Sequence, residues 1–539
     1  MAVNARTRAR VIENSRFDMQ QFLLKYDTRL TWKSEQHLGR YHSGCPAPAE
    51  HDSCDTSGEM PHLKELPDVR RVYLIGICGT AMASLAGMLQ QRGYEVSGSD
   101  EHVYPPMSTY LERLGISVLE GYTKEHLETF RPDLVVIGNA AANTNAEAAA
   151  TVELDLPYTS MPEAIYNLFI RGKHSVVVSG THGKTTTTSL MAWLLESAGR
   201  DPGMVVGGIP LNFNQNFKLG NGPEFVIEGD EYNTAFFDKG PKFMHYHANT
   251  LLLNNIEFDH ADIYKDLDAI LAAFRNAVQQ VAPGDVIVAN GDDENVMSLR
   301  EDARARWLTF GWSRKCDAYA TDAVETPAGT QFTAWWEGKE WARFHSTLSG
   351  NHNVLNALAV AMIGRLRGLS AEEINEGLQS FRGIKRRMEV RGVERGVTVI
   401  DDFAHHPTAI ATTMAGARKR YPGQRLWALF EPRSISSSRK EFEAGYIDAF
   451  HGADRVIIGP VFHRERYETR YGLDKMMSVE TINQRLSTDG IQAEQIDDFD
   501  AIAERVARDA KEGDVVLVMS SGAFGGVHEK ILERLRTPA

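Results

Sequence analysis

From Val69 onward the chain alternates short β-branched apolar runs with longer amphipathic or alanine-rich stretches. Apolar runs that stop at glycine or polar clusters read as buried strands, and the longer periodic stretches read as helices. Val72–Ile75, Tyr94–Ser97 (ending near Asp100) and Leu134–Ile137 are the first strands, with an apolar helix over Ala81–Gln91. Val176–Val178, Phe225–Ile227 and Thr250–Leu253 make a second group. Val397–Ile400, Leu426–Phe430, Arg455–Ile458 and Val515–Met519 make a third. Strands that are apolar throughout, with helices between them, predict parallel sheets covered on both faces. The expected fold class is α/β in three domains, 69–170, 171–389 and 390–539, preceded by an extension over 1–68.

The extension has a different pattern. Arg8–Leu30 is compatible with one amphipathic helix, its apolar positions being Ile12, Phe17, Phe22 and Leu23. His42–Glu65 is rich in Pro, Gly, Ser, His and acids and reads as a loop. The Arg-rich start lacks the apolar core of a secretory signal.

The stretch with the most chemistry is Ser175–Leu190, SVVVSGTHGKTTTTSL. A strand breaks at Gly180, and a helix starts near Thr185. Backbone N–H groups and the helix dipole at such a turn favour phosphate oxygens. Lys184 can reach terminal phosphates and Thr185 can ligate Mg²⁺. The long phosphate-loop pattern would need glycine where Val178 stands, so this is a shorter variant.

Two neighbouring strands end in candidate metal ligands, Glu228-Gly229-Asp230-Glu231 and Asn254-Asn255-Ile256-Glu257-Phe258-Asp259-His260. A parallel sheet would bring these to the same edge as the phosphate loop, where Mg·ATP would sit. Magnesium takes a few carboxylate or hydroxyl ligands beside phosphate oxygens. Glu231 and His260 rank ahead of Asp259 and Asp262, which are equally suited to capping the next helix. In LSGNHNVL, Leu348–Leu355, and the following Asn356, the amides either cap a helix or hydrogen-bond adenine. Arg433 follows a buried strand and needs an anionic partner, either a substrate carboxylate or an internal acid.

The first domain opens with strand, glycine turn and helix, a turn suited to a ligand phosphate or sugar. It fails as a dinucleotide fingerprint because Cys78 stands where the second glycine belongs. Asn139 and Asn145, after the strand Leu134–Ile137, either contact a ligand or cap turns.

Charge and composition narrow the class. The formal charge of −14, with no broad basic stripe, argues against a nucleic-acid binder. The four cysteines, Cys45, Cys54, Cys78 and Cys316, are too few and scattered for a disulfide framework or a zinc site. A reducing cytoplasm is expected. No apolar run approaches a membrane span.

Taken together, GTHGKTTT (Gly180–Thr187), NNIEFDH (Asn254–His260), GNHNVLN (Gly350–Asn356) and DDFAHHPTA (Asp401–Ala409) resemble the Mur ligase family. GICGTAM (Gly76–Met82), YPPMST (Tyr104–Thr109), AFFDKGPKF (Ala235–Phe243), LFEPRS (Leu429–Ser434) and MSSGAFGGVHEK (Met519–Lys530) extend the resemblance across Val69–Leu535. They favour the branch that adds a preassembled tripeptide over the branch that adds L-alanine alone.

The resemblance implies a Rossmann-like UDP-binding domain, a central P-loop ATPase domain and a C-terminal Rossmann-like domain that receives the peptide. UDP-N-acetylmuramate, ATP and a murein tripeptide would be the substrates and Mg²⁺ the cofactor. It further implies that Gly76, Cys78, Gly79, Thr80, Met82, Asp100, Asn139 and Asn145 meet the UDP-sugar. Gly180, Thr181, His182, Gly183, Lys184, Thr185 and Thr186 would hold ATP phosphates. His352, Asn353 and Asn356 would lie at adenine, while Arg387 and Asp402 would approach ATP as the domains close. Thr185, Glu231 and His260 would hold metal, His405 and His406 would position the acyl phosphate or nucleophile, and Arg433 and Ser434 the peptide.

Three departures stand out. Arg275 occupies the place of a carbamylated lysine found in several members, so no carbamate ligand is expected. Ser521 and Ala523 replace the usual Asn and Gly, and Ile435–Ser438 replaces Asn-Thr-Met-Lys, all beside the presumed peptide pocket. The extension over 1–68 also lies outside the pattern.

Overall fold

Three sheets follow one another along the chain. The first contains β1 (Arg71–Ile75), β2 (Glu95–Asp100), β3 (Ser117–Glu120), β4 (Leu134–Ile137) and β5 (Tyr158–Ser160), ordered β3-β2-β1-β4-β5 and parallel throughout. The second contains β6 (His174–Ser179), β7 (Gly203–Val205), β8 (Phe217–Lys218), β9 (Glu224–Gly229), β10 (Thr250–Leu253), β11 (Val286–Asn290), β12 (Arg306–Gly311), β13 (Ala318–Thr326), β14 (Gly329–Trp336) and β15 (Lys339–Ser346). Their order is β15-β14-β13-β12-β11-β10-β6-β9-β7-β8. The third contains β16 (Glu389–Glu394), β17 (Val397–Asp402), β18 (Leu426–Phe430), β19 (Arg455–Ile458), β20 (Gln492–Gln495) and β21 (Val515–Met519), ordered β16-β17-β21-β18-β19-β20.

This computed structural model describes residues 69–536 apart from 102, 104–106, 259–262, 327, 434–435 and 462–471. The helix expected over Arg8–Leu30 and the loop over His42–Glu65 lie outside the described residues, as do His260, Asp259, Asp262 and Ser434.

The fold is α/β with three mostly parallel sheets. The expectation of parallel strands is corrected at three places. β13, β14 and β15 form antiparallel hairpins, β7 and β8 pair antiparallel, and β16 runs antiparallel to β17. The strand expected from Tyr94 to near Asp100 runs Glu95–Asp100, with Asp100 at its last position.

Central strands such as β4, β10, β18 and β21 are buried at every position because helices cover both sheet faces. The first two sheets share an apolar core in which Leu85 and Met88 join Phe217, Phe225, Phe243 and Phe274. The third sheet has a separate core on each face, one with Phe430, Tyr446 and Phe450, the other with Trp427, Phe524 and Leu532. The connection into it is tied down by backbone bonds. Leu211 N donates to Gly383 O at 2.9 Å, Lys385 N to Ile209 O at 3.0 Å and Phe403 N to Arg386 O at 2.9 Å.

Candidate active site at the phosphate loop

β6 lies between β9 and β10, all parallel, with Ser179 in register with Gly229 on one side and Leu253 on the other. The residues that leave these strands therefore emerge side by side at one sheet edge. Gly180 and Gly183 turn the chain with φ of +133° and +83°. A Cβ on Gly180 would lie 2.9 Å from Asn255 O, and one on Gly183 would lie 3.0 Å from Asn254 Nδ2. Only glycine allows both the backbone angle and that approach. The helix Lys184–Ser197 starts directly after the turn.

The amides after β10 hold the loop in shape. Asn255 Oδ1 accepts from His182 N at 2.7 Å, Asn255 O accepts from Thr181 N at 2.9 Å, and Asn254 Nδ2 donates to Thr187 Oγ1 at 3.1 Å. The sequence signal for this loop-shaping role is an amide pair at a buried strand end.

Lys184 Nζ donates to both oxygens of Glu231 at 2.9 Å and to Gly180 O at 2.7 Å. Burial pulls the ammonium pKa down, but the Glu231 carboxylate, with Asp230 behind it, outweighs burial and holds it above the ordinary lysine value. Glu231 is buried, and Tyr264 OH donates to its backbone carbonyl at 2.7 Å. Asp230 pairs with Lys242 at 2.7 Å; burial opposes its charged form, yet Lys242 and Lys184 keep the carboxyl below its usual range.

Glu228, the first acid of the cluster, is pushed upward by burial. Gly207 N donates to it at 2.7 Å, and it shares a hydrogen bond with the Thr185 hydroxyl. Its position beside Thr185 is not legible in the sequence, because a strand's last residues alternate faces and only the sheet decides which carboxylate meets the loop.

Helix Asn351–Leu366 reaches the same loop. Asn356 Oδ1 would lie 3.3 Å from a Cβ on Gly183, and Asn356 Nδ2 donates to Asn353 Oδ1 at 3.1 Å. Asn353 Nδ2 donates to Ser349 O at 2.8 Å, and His352 is exposed beside them.

The C-terminal domain meets the loop through the turn after β17. Thr408 Oγ1 donates to Glu257 Oε2 at 2.9 Å, and the rings of His406 and His182 have centroids 5.2 Å apart. Glu257 is held below the usual carboxylate range, first by its hydrogen bond from His182. His406 caps the helix Pro407–Arg420, its ring accepting from Thr408 N, while His405 Nδ1 lies 3.1 Å from Phe403 O.

Asp402 is buried and accepts from Met388 N and Ala404 N at 2.8 Å. Burial raises its pKa against the opposing pull of Arg387. Arg386 and Arg387 lie against Phe403, 5.3 and 5.2 Å from its ring centre. Farther along, Arg433 lies across Gly522 with Nη1 3.6 Å from buried Glu431, so the internal acid is present. Ser520 Oγ donates to Glu431.

At the first-domain turn, Gly76 N donates to Ser99 O at 2.8 Å and Cys78 N to Asp100 Oδ2 at 2.9 Å. Gly79 is the N-cap of the helix Thr80–Gln91, and Met82 is buried in the shared core. Asn139 is exposed after β4. Asn145 takes the capping alternative, its Oδ1 accepting from Glu147 N and Ala148 N at 3.0 Å. Arg275 pairs with Asp302 at 2.8 Å.

The residues at the loop fit Mg·ATP. Two glycines open space no Cβ allows, a protonated amine and helix N–H groups face the loop, and a hydroxyl with three acids lines one side. Residues 71–172 match the Mur ligase family catalytic domain, 178–364 the Mur ligase middle domain and 386–522 the Mur ligase glutamate ligase domain. The chain belongs to the Mur ligase family, ATP-dependent amide ligases. It is 38% identical over 470 residues to UDP-N-acetylmuramate–L-alanyl-γ-D-glutamyl-meso-2,6-diaminoheptandioate ligase of Escherichia coli K12, covering 87% of this chain and 99% of the relative. It is 34% identical to UDP-N-acetylmuramate–L-alanine ligase of Caldanaerobacter subterraneus, covering 87% and 98%. Among solved structures, the murein peptide ligase of Psychrobacter arcticus superposes with a TM-score of 0.66 at 34% identity, covering 87% of this chain and 99% of that one. Among the described residues, no helix is long and apolar enough to cross a membrane.

Proposed function

We propose that the chain joins L-alanyl-γ-D-glutamyl-meso-diaminopimelate to UDP-N-acetylmuramate at the expense of ATP, recycling cell-wall tripeptide in the cytoplasm. The observation that carries this reading is the meeting of the phosphate loop, the acidic strand ends and the C-terminal domain at Lys184, Glu231 and Glu257. The lactyl carboxylate attacks the γ-phosphorus of ATP, whose bond to the β-bridging oxygen breaks to release ADP. The alanine amine of the tripeptide then attacks the acyl carbon. The carbon–oxygen bond to phosphate breaks, inorganic phosphate leaves, the amine proton is lost and an amide forms.

A free carboxylate has no competent leaving group, and phosphorylation supplies one. The first step brings two anions together, so the positive groups act by neutralising that repulsion. Lys184 holds the β- and γ-phosphates. Thr185 and Glu231, with His260, would hold Mg²⁺, which when bound would supply further positive charge at the phosphate oxygens. Asn353 and Asn356 hold adenine, and the turn Gly76–Met82 with Asp100 and Asn139 holds the UDP-sugar. His405 and His406 orient the acyl phosphate or the amine. Arg433, backed by Glu431, takes a peptide carboxylate together with Ser434.

Identity to both relatives named above makes the tripeptide and L-alanine the two nucleophiles to compare. Incubation with ATP, Mg²⁺ and UDP-N-acetylmuramate should release phosphate and give a UDP-linked tripeptide when tripeptide is supplied. Product with L-alanine, and none with tripeptide, would overturn the assignment while leaving the ligase chemistry in place.

A further inference from the structure

A second set of metal-capable side chains lies at the seam between the middle and C-terminal domains, apart from Thr185 and Glu231. His182 Nε2 is 3.3 Å from Glu257 Oε2. One ligand atom from each of His182, Glu257 and His406 lies within 4.8 Å of the other two. They come from separate places: the phosphate loop, the segment after β10 and the N-cap of the helix Pro407–Arg420.

We propose that His182, Glu257 and His406 form a site for a borderline divalent transition ion of the Zn²⁺ or Co²⁺ class, which fastens the C-terminal domain to the phosphate loop. The donor set decides the class of ion. Two imidazoles and one carboxylate suit Zn²⁺ and its first-row neighbours, whereas Mg²⁺ takes oxygen donors and keeps its water. Metal bonds of 2.0–2.2 Å at tetrahedral angles place ligand atoms about 3.4 Å apart. His182 and Glu257 already have that separation, and a ligand atom of His406 lies within 4.8 Å of both.

The surroundings hold the ligands in place. Thr408 Oγ1 donates to Glu257 Oε2 at 2.9 Å, Glu257 N donates to Thr181 Oγ1 at 2.8 Å, and Asn255 Oδ1 fixes His182 N. The His406 ring packs edge-on against Phe442 with centroids 4.8 Å apart. Such outer contacts orient metal ligands and limit their freedom. Three protein donors leave a fourth position for water or a substrate oxygen. Because His406 belongs to the other domain, the full ligand set exists only when the two domains are together. An ion that binds this set therefore favours the closed arrangement by mass action.

The test uses the full chain stripped of metal, without nucleotide. ZnCl₂ titration by calorimetry should show one tight equivalent, and Co²⁺ should develop the strong visible bands of a tetrahedral centre. His406→Asn keeps a helix N-cap, and Glu257→Gln keeps a partner for Thr408. Each should weaken Zn²⁺ binding by about tenfold or more and abolish the tetrahedral spectrum. Glu231→Gln, which alters the magnesium centre, should leave that spectrum in place. Circular dichroism establishes that each variant is folded, and a failed fold in one leaves the other to decide. The proposal is overturned if the parent chain binds no Zn²⁺ tightly, or if a folded variant keeps the parent's affinity and spectrum. Loss of the spectrum in Glu231→Gln would also overturn it, by placing the ion at the magnesium centre.

Discussion

Lys184 Nζ lies 2.9 Å from each carboxylate oxygen of Glu231, and both side chains are largely out of water. This pair joins the first residue of the phosphate-loop helix to the end of the neighbouring strand. It keeps the lysine charged at the phosphate loop. Lys184→Met should lower ATP-dependent phosphate release by about a hundredfold or more. It should also cost about 3 kcal/mol of stability, because buried Glu231 is left without its cation partner. UDP-sugar binding, measured by calorimetry, should persist. Unchanged turnover would remove Lys184 from the chemistry.

Arg433 passes so close to Gly522 that a Cβ there would lie 1.9 Å from Arg433 Cδ. Gly522→Ala must therefore move the arginine away from Glu431. The expected result is a KM for tripeptide raised about tenfold or more, with the KM for ATP little changed, in steady-state assays. Equal effects on both substrates would show that the arginine serves the closed domain arrangement and not the peptide.

Lys419 bridges the domains, 3.3 Å from Glu325 and 3.3 Å from Asn351 Oδ1. The pair is partly exposed, so its coupling is expected to be modest, roughly 0.2–1 kcal/mol in a double-mutant cycle of Lys419→Ala and Glu325→Ala. The effect should fall with added salt. Scattering should show less compaction by nucleotide in Lys419→Ala than in the parent chain. Identical compaction would place the closing contacts elsewhere, at Thr408 and Glu257.

His174 starts β6 with Nε2 2.8 Å from Thr250 Oγ1 and Nδ1 3.3 Å from Arg367 Nη1. Burial first, then Arg367, pushes its pKa down to about 4. An unfolded histidine takes up its proton near 6.5, so between 6.5 and about 4 the unfolded chain binds the extra proton. The neutral ring's contribution is full above 6.5 and is lost as the pH falls to about 4. His174→Gln should flatten the stability–pH curve in that window by up to about 1.4 kcal/mol per pH unit. Denaturant melts at a series of pH values would read it, and parallel curves for the two chains would refute it.

Local pattern alone marked β6, β9, β10, β17, β18 and β21, because a parallel strand covered on both faces carries a short apolar run that ends abruptly. It also marked the loop Gly180–Lys184, since the turn needs glycine and the helix start carries the reactive side chains in a short stretch. The hairpins β13–β15 are not legible in the local pattern, because their runs mix buried, partly buried and exposed positions, with Trp335 and Trp336 partly buried, and lack an unbroken apolar stretch.

What only the tertiary structure decided was which groups meet. Asn145 is suited to capping or to ligand contact, and the fold sets its Oδ1 at the N-cap of the helix Ala146–Glu153. Arg433 needed an acid, and the sheet supplied Glu431. Glu228 at Thr185, and Thr408 on Glu257, join residues far apart in the chain. A residue's chemistry and its place on a strand or helix are local properties, set by side chains a few positions away. Its partners depend on strand order and on how the domains pack, and these are settled by long-range burial that no short window of sequence records.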